Sequence, residues 1–311
     1  MIIYLNSPEY RHLRRKGDSV LPVSVQKLTI LFQKMTIFIL LLSLNLIASE
    51  QITLGITGVA LKKDISTLIE LKNYLIKKTN LDIKIKFAKN YSSMRHLILD
   101  SDVDVAYICG ATYVDLLPSK LIKLMVLPIV DNKPYYYSLI IAKNGTKYKK
   151  IDDFKNSIFA MSDPESNSGS LVTRYKLDKK GYKDNNFFKK IIYTYDHGES
   201  ITAVIDGYTD GASVDSVVYF AFLKNYPKLA KKLKIVEKFG PYPIPPFVVR
   251  KSLPKQEQLK LTNAFLNMHK NKKGLKILSA LAIQRFSLPN NLSYQKIREI
   301  KKYLADFKYD K

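Results

Sequence analysis

The sequence is most informative at Ser162-Asp163-Pro164-Glu165-Ser166-Asn167-Ser168-Gly169. This stretch follows the apolar, strand-like run Ser157–Met161 and precedes a helix-like run that begins near Ser168. Asp-Pro favours a turn, and serine and asparagine commonly begin helices. The first backbone N–H groups of a helix lack internal partners and lie at the positive end of its dipole, so a small oxyanion can bind there. On this motif alone, an ordinary helix cap and an oxyanion site both remain open.

Strand-like and helix-like segments alternate along the chain. Strands are predicted at Gln51–Thr57, Leu81–Ala88, Val103–Ile108, Ser157–Met161, Ile191–Tyr195 and Gly211–Val214. Helices are predicted at Asp64–Lys78 and Ser92–Leu99, near Ser168, Ser200 and Ser216, and at Gln256–His269, Leu275–Ile283 and Tyr294–Phe307. The βαβαβ order of the first half predicts a parallel sheet with helices on both faces.

Two extended apolar segments, Tyr135–Ala142 and Phe247–Arg250, bracket the second α/β unit and are predicted to cross between lobes. We therefore predict an α/β clamshell of two lobes, each a mostly parallel sheet flanked by helices, with two crossing strands as the hinge. The predicted division is an N-terminal segment 1–49, lobe 1 at 50–140 and 245–311, and lobe 2 at 141–244. Ligands of open α/β sheets bind at the carboxyl ends of the strands, where Ser166–Gly169 is predicted to lie.

The N-terminal segment has the pattern of an export signal. Lys34 precedes an apolar run at 35–48 that is short for a membrane span and typical of a secretory h-region. Cleavage is predicted near Ala48 or Ser49, and an uncleaved membrane anchor remains an alternative. We interpret residues 1–34 as an upstream extension of the reading frame or a long n-region. The predicted location of the protein is the periplasm.

The formal net charge is +24, which is compatible with nucleic acid, an anionic membrane surface or anionic small ligands as partners. The lysines are scattered along the chain, and no zinc-finger, RNP or helix-turn-helix pattern occurs. This distribution favours a solvated basic surface and argues against a nucleic-acid partner.

The sequence contains a single cysteine, Cys109, which lies in an apolar strand-like run and is interpreted as a small core residue. It cannot form an internal disulfide, and no Cys/His spacing indicates a metal site. The chain also lacks a G-x-S-x-G motif and any recognisable spacing of nucleophile and base. Neither a cofactor nor an enzymatic activity is therefore expected.

Six short motifs occur in a fixed order along the chain. They are Asp104–Gly110 (DVAYICG), Tyr135–Ile141 (YYYSLII), Ser162–Gly169 (SDPESNSG), His197–Ser200 (HGES), Asp210–Ser216 (DGASVDS) and Pro245–Lys251 (PPFVVRK). Together they resemble the type II periplasmic solute-binding proteins of the phosphate, phosphite and phosphonate group, which are the receptors of ABC importers. The resemblance extends from about residue 52 to residue 283.

The resemblance implies a ligand site built from both lobes. The residues that match ligand-binding positions are Ser166, Asn167, Ser168 and Gly169 for the oxyanion loop, Tyr91 and Tyr136 from lobe one, and His197 from lobe two. Without the resemblance, the two tyrosines would be interpreted as structural and His197 as a solvated turn residue. Thr57, in the loop after the first strand, is a further candidate.

The positions that match the family's binding residues also indicate which ligand is expected. Family members that bind an aminoalkyl phosphonate neutralise its ammonium group with two carboxylates, and the matching positions here are Val217 and Pro245. A smaller oxyanion such as phosphite, phosphate or methylphosphonate is therefore expected. Asp215 either accepts a proton from a protonated ligand or caps the helix that begins at Ser216, and both interpretations remain open.

The function that the resemblance implies is capture of the oxyanion by lobe closure and delivery to an ABC permease in the inner membrane, with the binding protein as a monomer. The alternative is a sensing module that presents the bound anion to a membrane sensor or kinase in trans.

Overall fold

The computed structural model describes residues 27–28, 31–35, 51–57, 65–182 and 184–306. The chain divides into two compact units, 1–49 and 50–311. In the first unit, the residues described are helical. Apart from Met35, the predicted signal segment 35–48 lies outside the described residues and stays a prediction. In the part of the chain described here, no helix has both the length and the apolar character needed to cross a membrane.

The unit 50–311 contains two β-sheets. In spatial order, the first sheet consists of β11 (Arg285–Ser287), β4 (Ile122–Ile129), β10 (Phe247–Arg250), β3 (Val105–Tyr107), β1 (Ile52–Ile56) and β2 (Ile83–Phe87). The second consists of β7 (Lys190–Tyr193), β6 (Ile158–Met161), β8 (Gly211–Asp215), β5 (Tyr135–Lys143) and β9 (Leu233–Pro243). We call each sheet with its flanking helices the first lobe and the second lobe.

The helices connect and flank these strands. They are α1 (Ile65–Thr79), α2 (Tyr91–Leu99), α3 (Gly110–Leu116), α4 (Val172–Asp178), α5 (Asp184–Phe187), α6 (His197–Asp206), α7 (Ser216–Asn225), α8 (Pro227–Ala230), α9 (Lys255–Leu266), α10 (Lys272–Ala280) and α11 (Gln295–Asp306). Short 3₁₀ turns occur at Leu117–Ser119, Ile151–Phe154 and Met268–Lys270, and a π-helical turn at Asn167–Leu171 leads into α4.

The predicted α/β class with two sheets is confirmed, but each sheet is mixed rather than mostly parallel. The β1-α1-β2-α2-β3 run is parallel, as its alternating pattern predicts, and β6 pairs in parallel with β7 and β8. Antiparallel strands β10 and β11 complete the first sheet, and β5 and β9 complete the second. The sequence did not predict strand β9, because this segment has no apolar run. Most of its residues, including Lys234, Glu237 and Lys238, are half-buried or exposed.

The chain passes between the two sheets through residues 130–134 and 244–246. The predicted crossing segment Tyr135–Ala142 forms β5, which pairs with β8 and β9 inside the second sheet. Segment Phe247–Arg250 forms β10 of the first sheet. The two segments therefore flank the crossings, and the lobe boundaries given above stay a prediction.

The lobes pack against each other. The apolar core of the first lobe includes Val172 and Val217, which lie on helices of the second lobe. This shared apolar burial stabilises the arrangement in which the two lobes are in contact, and it removes the residues between the lobes from water.

Candidate functional site

The carboxyl ends of several strands lie at the cleft between the lobes. Thr57 follows β1, Cys109 follows β3, Ser162 follows β6 and Asp215 ends β8. All four are at most 2% exposed, so the carboxyl edges of both sheets meet in a buried region. This is where open α/β sheets bind ligands.

The Ser166–Gly169 loop begins the π-helical turn. Ser166 is the N-terminal cap, and its Oγ accepts a hydrogen bond of 3.0 Å from the Gly169 N–H. That oxygen acts as the acceptor, so the hydroxyl hydrogen of Ser166 can donate in another direction, and Tyr91 is a side-chain partner within its reach. Ser166, Asn167 and Ser168 are almost completely buried. π-Helical turns often occur at functional sites.

Hydroxyl groups beneath the loop hold its backbone in place. The Ser168 carbonyl accepts hydrogen bonds from the hydroxyls of Ser138 on β5, at 2.7 Å, and Ser213 on β8, at 2.6 Å. Thr173 Oγ1 lies 2.7 Å from Ser213 Oγ. These buried contacts connect the loop to two strands, so its N–H groups are held in a fixed geometry.

Asn167 connects the loop to both lobes. Its backbone N–H donates to Cys109 Sγ at 3.4 Å, and its Nδ2 donates to the Tyr136 hydroxyl at 2.8 Å. Its Oδ1 is buried and has no hydrogen-bond partner among the described residues. Tyr136 lies on β5 of the second sheet, whereas it was expected to reach the anion from lobe one. Its side chain nevertheless packs into the apolar core of the first lobe, so the side chain lies on the side of the cleft that the sequence predicted.

His197 is the first residue of α6 and not a solvated turn residue. Its Nδ1 accepts a hydrogen bond of 3.1 Å from the Asp215 N–H, so in the neutral ring the proton is on Nε2. Nε2 lies 3.4 Å from both the Tyr91 hydroxyl and Ser162 Oγ. Burial lowers the pKa of His197 to about 3, so the imidazole is a neutral donor at physiological pH.

Asp215 caps α7, as one of the two interpretations of the sequence predicted. Its Oδ1 accepts from the N–H groups of Val217, at 2.6 Å, and Val218, at 3.3 Å. Burial raises the pKa of Asp215 to about 7, and the two backbone hydrogen bonds oppose that shift. A carboxyl group with this pKa can also exchange a proton with a bound ligand near neutral pH.

None of the lysines and arginines in the described ranges is buried. Arg95 comes near the loop, because its Nη1 lies 2.7 Å from Glu165 Oε2 and its side chain is 24% exposed. Asp163 is buried there, and burial raises its pKa. Its Oδ2 accepts from the Tyr91 N–H at 3.0 Å, and its Oδ1 accepts from the Glu165 N–H at 2.8 Å. The polar groups that line this cleft are therefore neutral hydrogen-bond donors and buried carboxyl groups.

The other candidates have partners of their own. Thr57 Oγ1 donates to the Tyr107 carbonyl at 3.3 Å, and the ligand role of Thr57 stays a prediction. Cys109 is free and buried, as predicted for a core residue, and burial raises its pKa to about 11. Val217 and Pro245 are buried and apolar, so they provide no charge for an ammonium group.

Sequence reasoning missed the supporting residues of the site. Ser162 and Asp163 lie in the motif itself, yet neither was predicted as a ligand-site residue. Ser138 and Ser213 stand within apolar strands, where a fully buried hydroxyl requires a hydrogen-bond partner, and that pattern was the available signal.

Two kinds of comparison place the chain among known proteins. The family described as "ABC transporter, phosphonate, periplasmic substrate-binding protein" matches residues 63–294, which confirms the resemblance inferred from the motifs. A binding-protein component of an ABC phosphonate transporter from Pseudomonas aeruginosa has a similar structure. It is 22% identical with a TM-score of 0.74, over 81% of this chain and 86% of that one.

Two further solved structures are similar. PhnD1 from Prochlorococcus marinus, in complex with methylphosphonate, is 20% identical with a TM-score of 0.74, over 83% of this chain and 100% of that one. A protein of Xanthomonas citri bound to ATP is 14% identical with a TM-score of 0.63, over 83% and 98% of the two chains. At these identities the likeness shows the two-lobed periplasmic binding protein fold alone.

We expect Gly169→Ala to destabilise the site. A Cβ at this position would overlap Ser162 Oγ and come within 2.9 Å of His197 Cε1. Overpacking of this kind costs about 1–3 kcal/mol, measurable by urea unfolding. Adding Ser162→Ala removes the nearest atom, so the double variant should lose less stability than Gly169→Ala alone. A Gly169→Ala variant as stable as the wild type would contradict the close packing.

The two buried titratable groups have opposing effects on the free energy of unfolding. Asp215 has a raised pKa, so its stabilising contribution is present below pH 3.8 and is lost as the pH rises to about 7. His197 has a lowered pKa, so its contribution is present above pH 6.5 and is lost as the pH falls to about 3. Between about pH 4 and 6.5 the two effects cancel.

Single variants should reveal each effect. Relative to the wild type, the unfolding free energy of Asp215→Asn should rise with pH between 4 and 6.5, by up to about 1.4 kcal/mol per pH unit. That of His197→Gln should fall over the same range. Urea unfolding at several pH values measures both slopes. Slopes equal to that of the wild type would show that the two groups are not buried as described.

Proposed function

Since the chain belongs to the family of periplasmic substrate-binding proteins of phosphonate ABC transporters, we propose that it captures a small phosphorus oxyanion by lobe closure. The ligand is phosphite, phosphate or a simple phosphonate such as methylphosphonate. The observation that carries this proposal is the buried cluster in which Tyr91 of the first lobe meets His197 and the Ser166–Gly169 loop of the second. Donors from both lobes can then surround one small anion.

Each donor has a defined role in the proposal. The Ser166 and Ser168 hydroxyls bind phosphoryl oxygens, and the positive end of the helix dipole favours the negative charge of those oxygens. His197 Nε2–H and the Tyr91 hydroxyl add donors from the opposite side. Hydrogen bonds from neutral groups to a charged oxygen are short and strong in a dehydrated cleft. Asn167 supplies an amide beside the anion.

We further propose that Asp215 shares one proton with the ligand. A doubly charged anion beside a buried, ionised carboxylate would be repelled, because no buried cation among the described residues offsets the two charges. One proton held between Asp215 and the ligand removes that repulsion. The site then favours protonated phosphorus oxyanions over sulfate, which carries no proton at neutral pH.

A plain oxyanion fits better than an aminoalkyl phosphonate. The positions that match the two ammonium-binding carboxylates are Val217 and Pro245, and both are apolar and buried. A buried ammonium group without a charged partner would lose its hydration without compensation.

We propose transport as the role of the captured ligand. Closure joins the two lobes, and an ABC permease in the inner membrane then recognises the closed form of a monomeric receptor. Segment 35–48 is proposed as its export signal or membrane anchor. Presentation of the anion to a membrane sensor in trans is the alternative. Loss of phosphonate uptake in a deletion strain supports transport, whereas normal uptake with a lost transcriptional response supports sensing.

A thermal-shift panel, followed by calorimetry, tests the ligand class. Phosphite, phosphate or methylphosphonate should raise the melting temperature of the wild type, because a ligand that binds the folded state stabilises it. Sulfate, taurine and 2-aminoethylphosphonate should have little effect. In the double variant Ser166→Ala, Ser168→Ala the dissociation constant should rise at least about 100-fold, because each lost hydrogen bond to the charged ligand contributes about 1.5–3 kcal/mol. Exposed Ser252→Ala is the control. Wild-type affinity in the double variant would refute the assignment.

The shared proton predicts a pH dependence of binding. Above about pH 7, both Asp215 and the ligand lose their protons, so the dissociation constant should rise about tenfold per pH unit. Asp215→Asn replaces the acceptor by an amide that can donate, so its binding should be less pH-dependent and sulfate should gain affinity. Isothermal calorimetry between pH 6 and 9 measures both. An unchanged wild-type dissociation constant across this range would contradict the shared proton.

A further inference from the structure

The loop that precedes the anion-binding turn also contacts the opposite lobe directly. Asp163 and Glu165, on the second lobe, both face α2 of the first. The Tyr91 N–H donates to Asp163 Oδ2 at 3.0 Å, and Arg95 Nη1 lies 2.7 Å from Glu165 Oε2. Tyr91 and Arg95 are one helical turn apart, so one side of α2 meets one short loop.

The Arg95 guanidinium is held in place from its own lobe. Its Nη1 lies 3.5 Å from Asp115 Oδ2, and its Nη2 donates to Ser92 Oγ at 3.3 Å. Lys301 Nζ lies 2.9 Å from the same Asp115 oxygen. The guanidinium is therefore preorganised before it meets Glu165, which reduces the side-chain entropy lost when the pair forms.

We propose that the Arg95–Glu165 ion pair, supported by Asp163 at the α2 N-terminus, is a closure latch that slows ligand release. The proposal rests on the proposed function, because the retained ligand is the phosphorus oxyanion. Glu165 is one residue before Ser166, so the loop that binds the anion is the same loop that the first lobe holds. Opening the lobes separates α2 from this loop and breaks both contacts.

The latch acts on closure and not on the bound anion. Glu165 carries a negative charge and donates no hydrogen bond to an oxyanion, so its contribution to retention comes through Arg95. The side chains of Arg95 and Glu165 are 24% and 29% exposed, so salt reaches the pair and screens it. Ligand release should therefore become faster with added salt in the wild type.

The test compares Glu165→Gln with a matched control in the full chain. Asp102→Asn removes an ion pair with Lys86 at 2.9 Å, and both of these residues belong to the first lobe. With methylphosphonate as the probe, or phosphite if only that binds, stopped-flow dissociation should be about three- to fivefold faster for Glu165→Gln in low salt. In about 1 M salt the difference should vanish. Asp102→Asn should release ligand at the wild-type rate.

A double-mutant cycle identifies the partner. Arg95→Gln should speed up release, and adding Glu165→Gln to it should have little further effect, because the pair is already broken. Full additivity of the two changes, or a Glu165→Gln release rate equal to that of the wild type in low salt, would overturn the latch. If Arg95→Gln and Glu165→Gln lower the melting temperature of the ligand-free protein equally and leave the release rate unchanged, the pair contributes to folding only. That result would also overturn the latch.

A ligand-free measurement separates this proposal from the proposed function. In low salt, small-angle scattering of the ligand-free protein should give a larger radius of gyration for Glu165→Gln than for the wild type, because the open form gains population. If no anion binds to the wild type, the proposed function fails and scattering alone decides the latch. If the ligand-free wild type and Glu165→Gln then have equal radii of gyration, the latch is overturned as well.

Discussion

The hydrogen bond from the Asp215 N–H to His197 Nδ1 is the contact on which the chemistry of the cleft depends. It fixes the neutral imidazole tautomer, so Nε2 carries the proton and faces the Tyr91 hydroxyl of the first lobe. A charged imidazole in this position would be costly to bury, and the lowered pKa expresses that cost. Asp215 adds the N-terminal cap of α7, so one residue orients the donor and begins a helix.

Neutral donors suit the proposed capture and later release of an anion. A buried lysine or arginine would bind any anion through its charge, and it would do so with little regard for shape. Hydroxyls, N–H groups and a neutral imidazole bind strongly only when their geometry fits the oxygen atoms of the ligand. The carboxylates Asp163 and Asp215 add a further constraint, because they disfavour an anion that brings no proton. In the proposed function, selectivity thus comes from geometry and protonation together.

The sequence predicted the parallel βαβ units, the start of a helix near Ser168 and the family, because each depends on local patterns. Apolar alternation and the Ser-Asn-Ser-Gly cluster can be recognised within a few residues. Strand β9 was missed, since it pairs with β5 across about a hundred residues and presents few buried positions. The sequence also could not show that the Tyr136 side chain packs into the core of the first lobe while its strand belongs to the second sheet, because the two depend on contacts distant in the chain.

In the described part of the chain, the positive charge lies on the exterior and not in the cleft. The chain carries a formal net charge of +24, yet none of the lysines and arginines in the described ranges is buried. A basic exterior raises the local concentration of anions and speeds their encounter with the protein, and it does so for all anions alike. Discrimination then follows inside, where neutral donors and buried carboxyl groups replace water. In the proposed function, the basic surface attracts anions and the cleft selects among them, so the charge of the surface can vary without altering which anion the cleft retains.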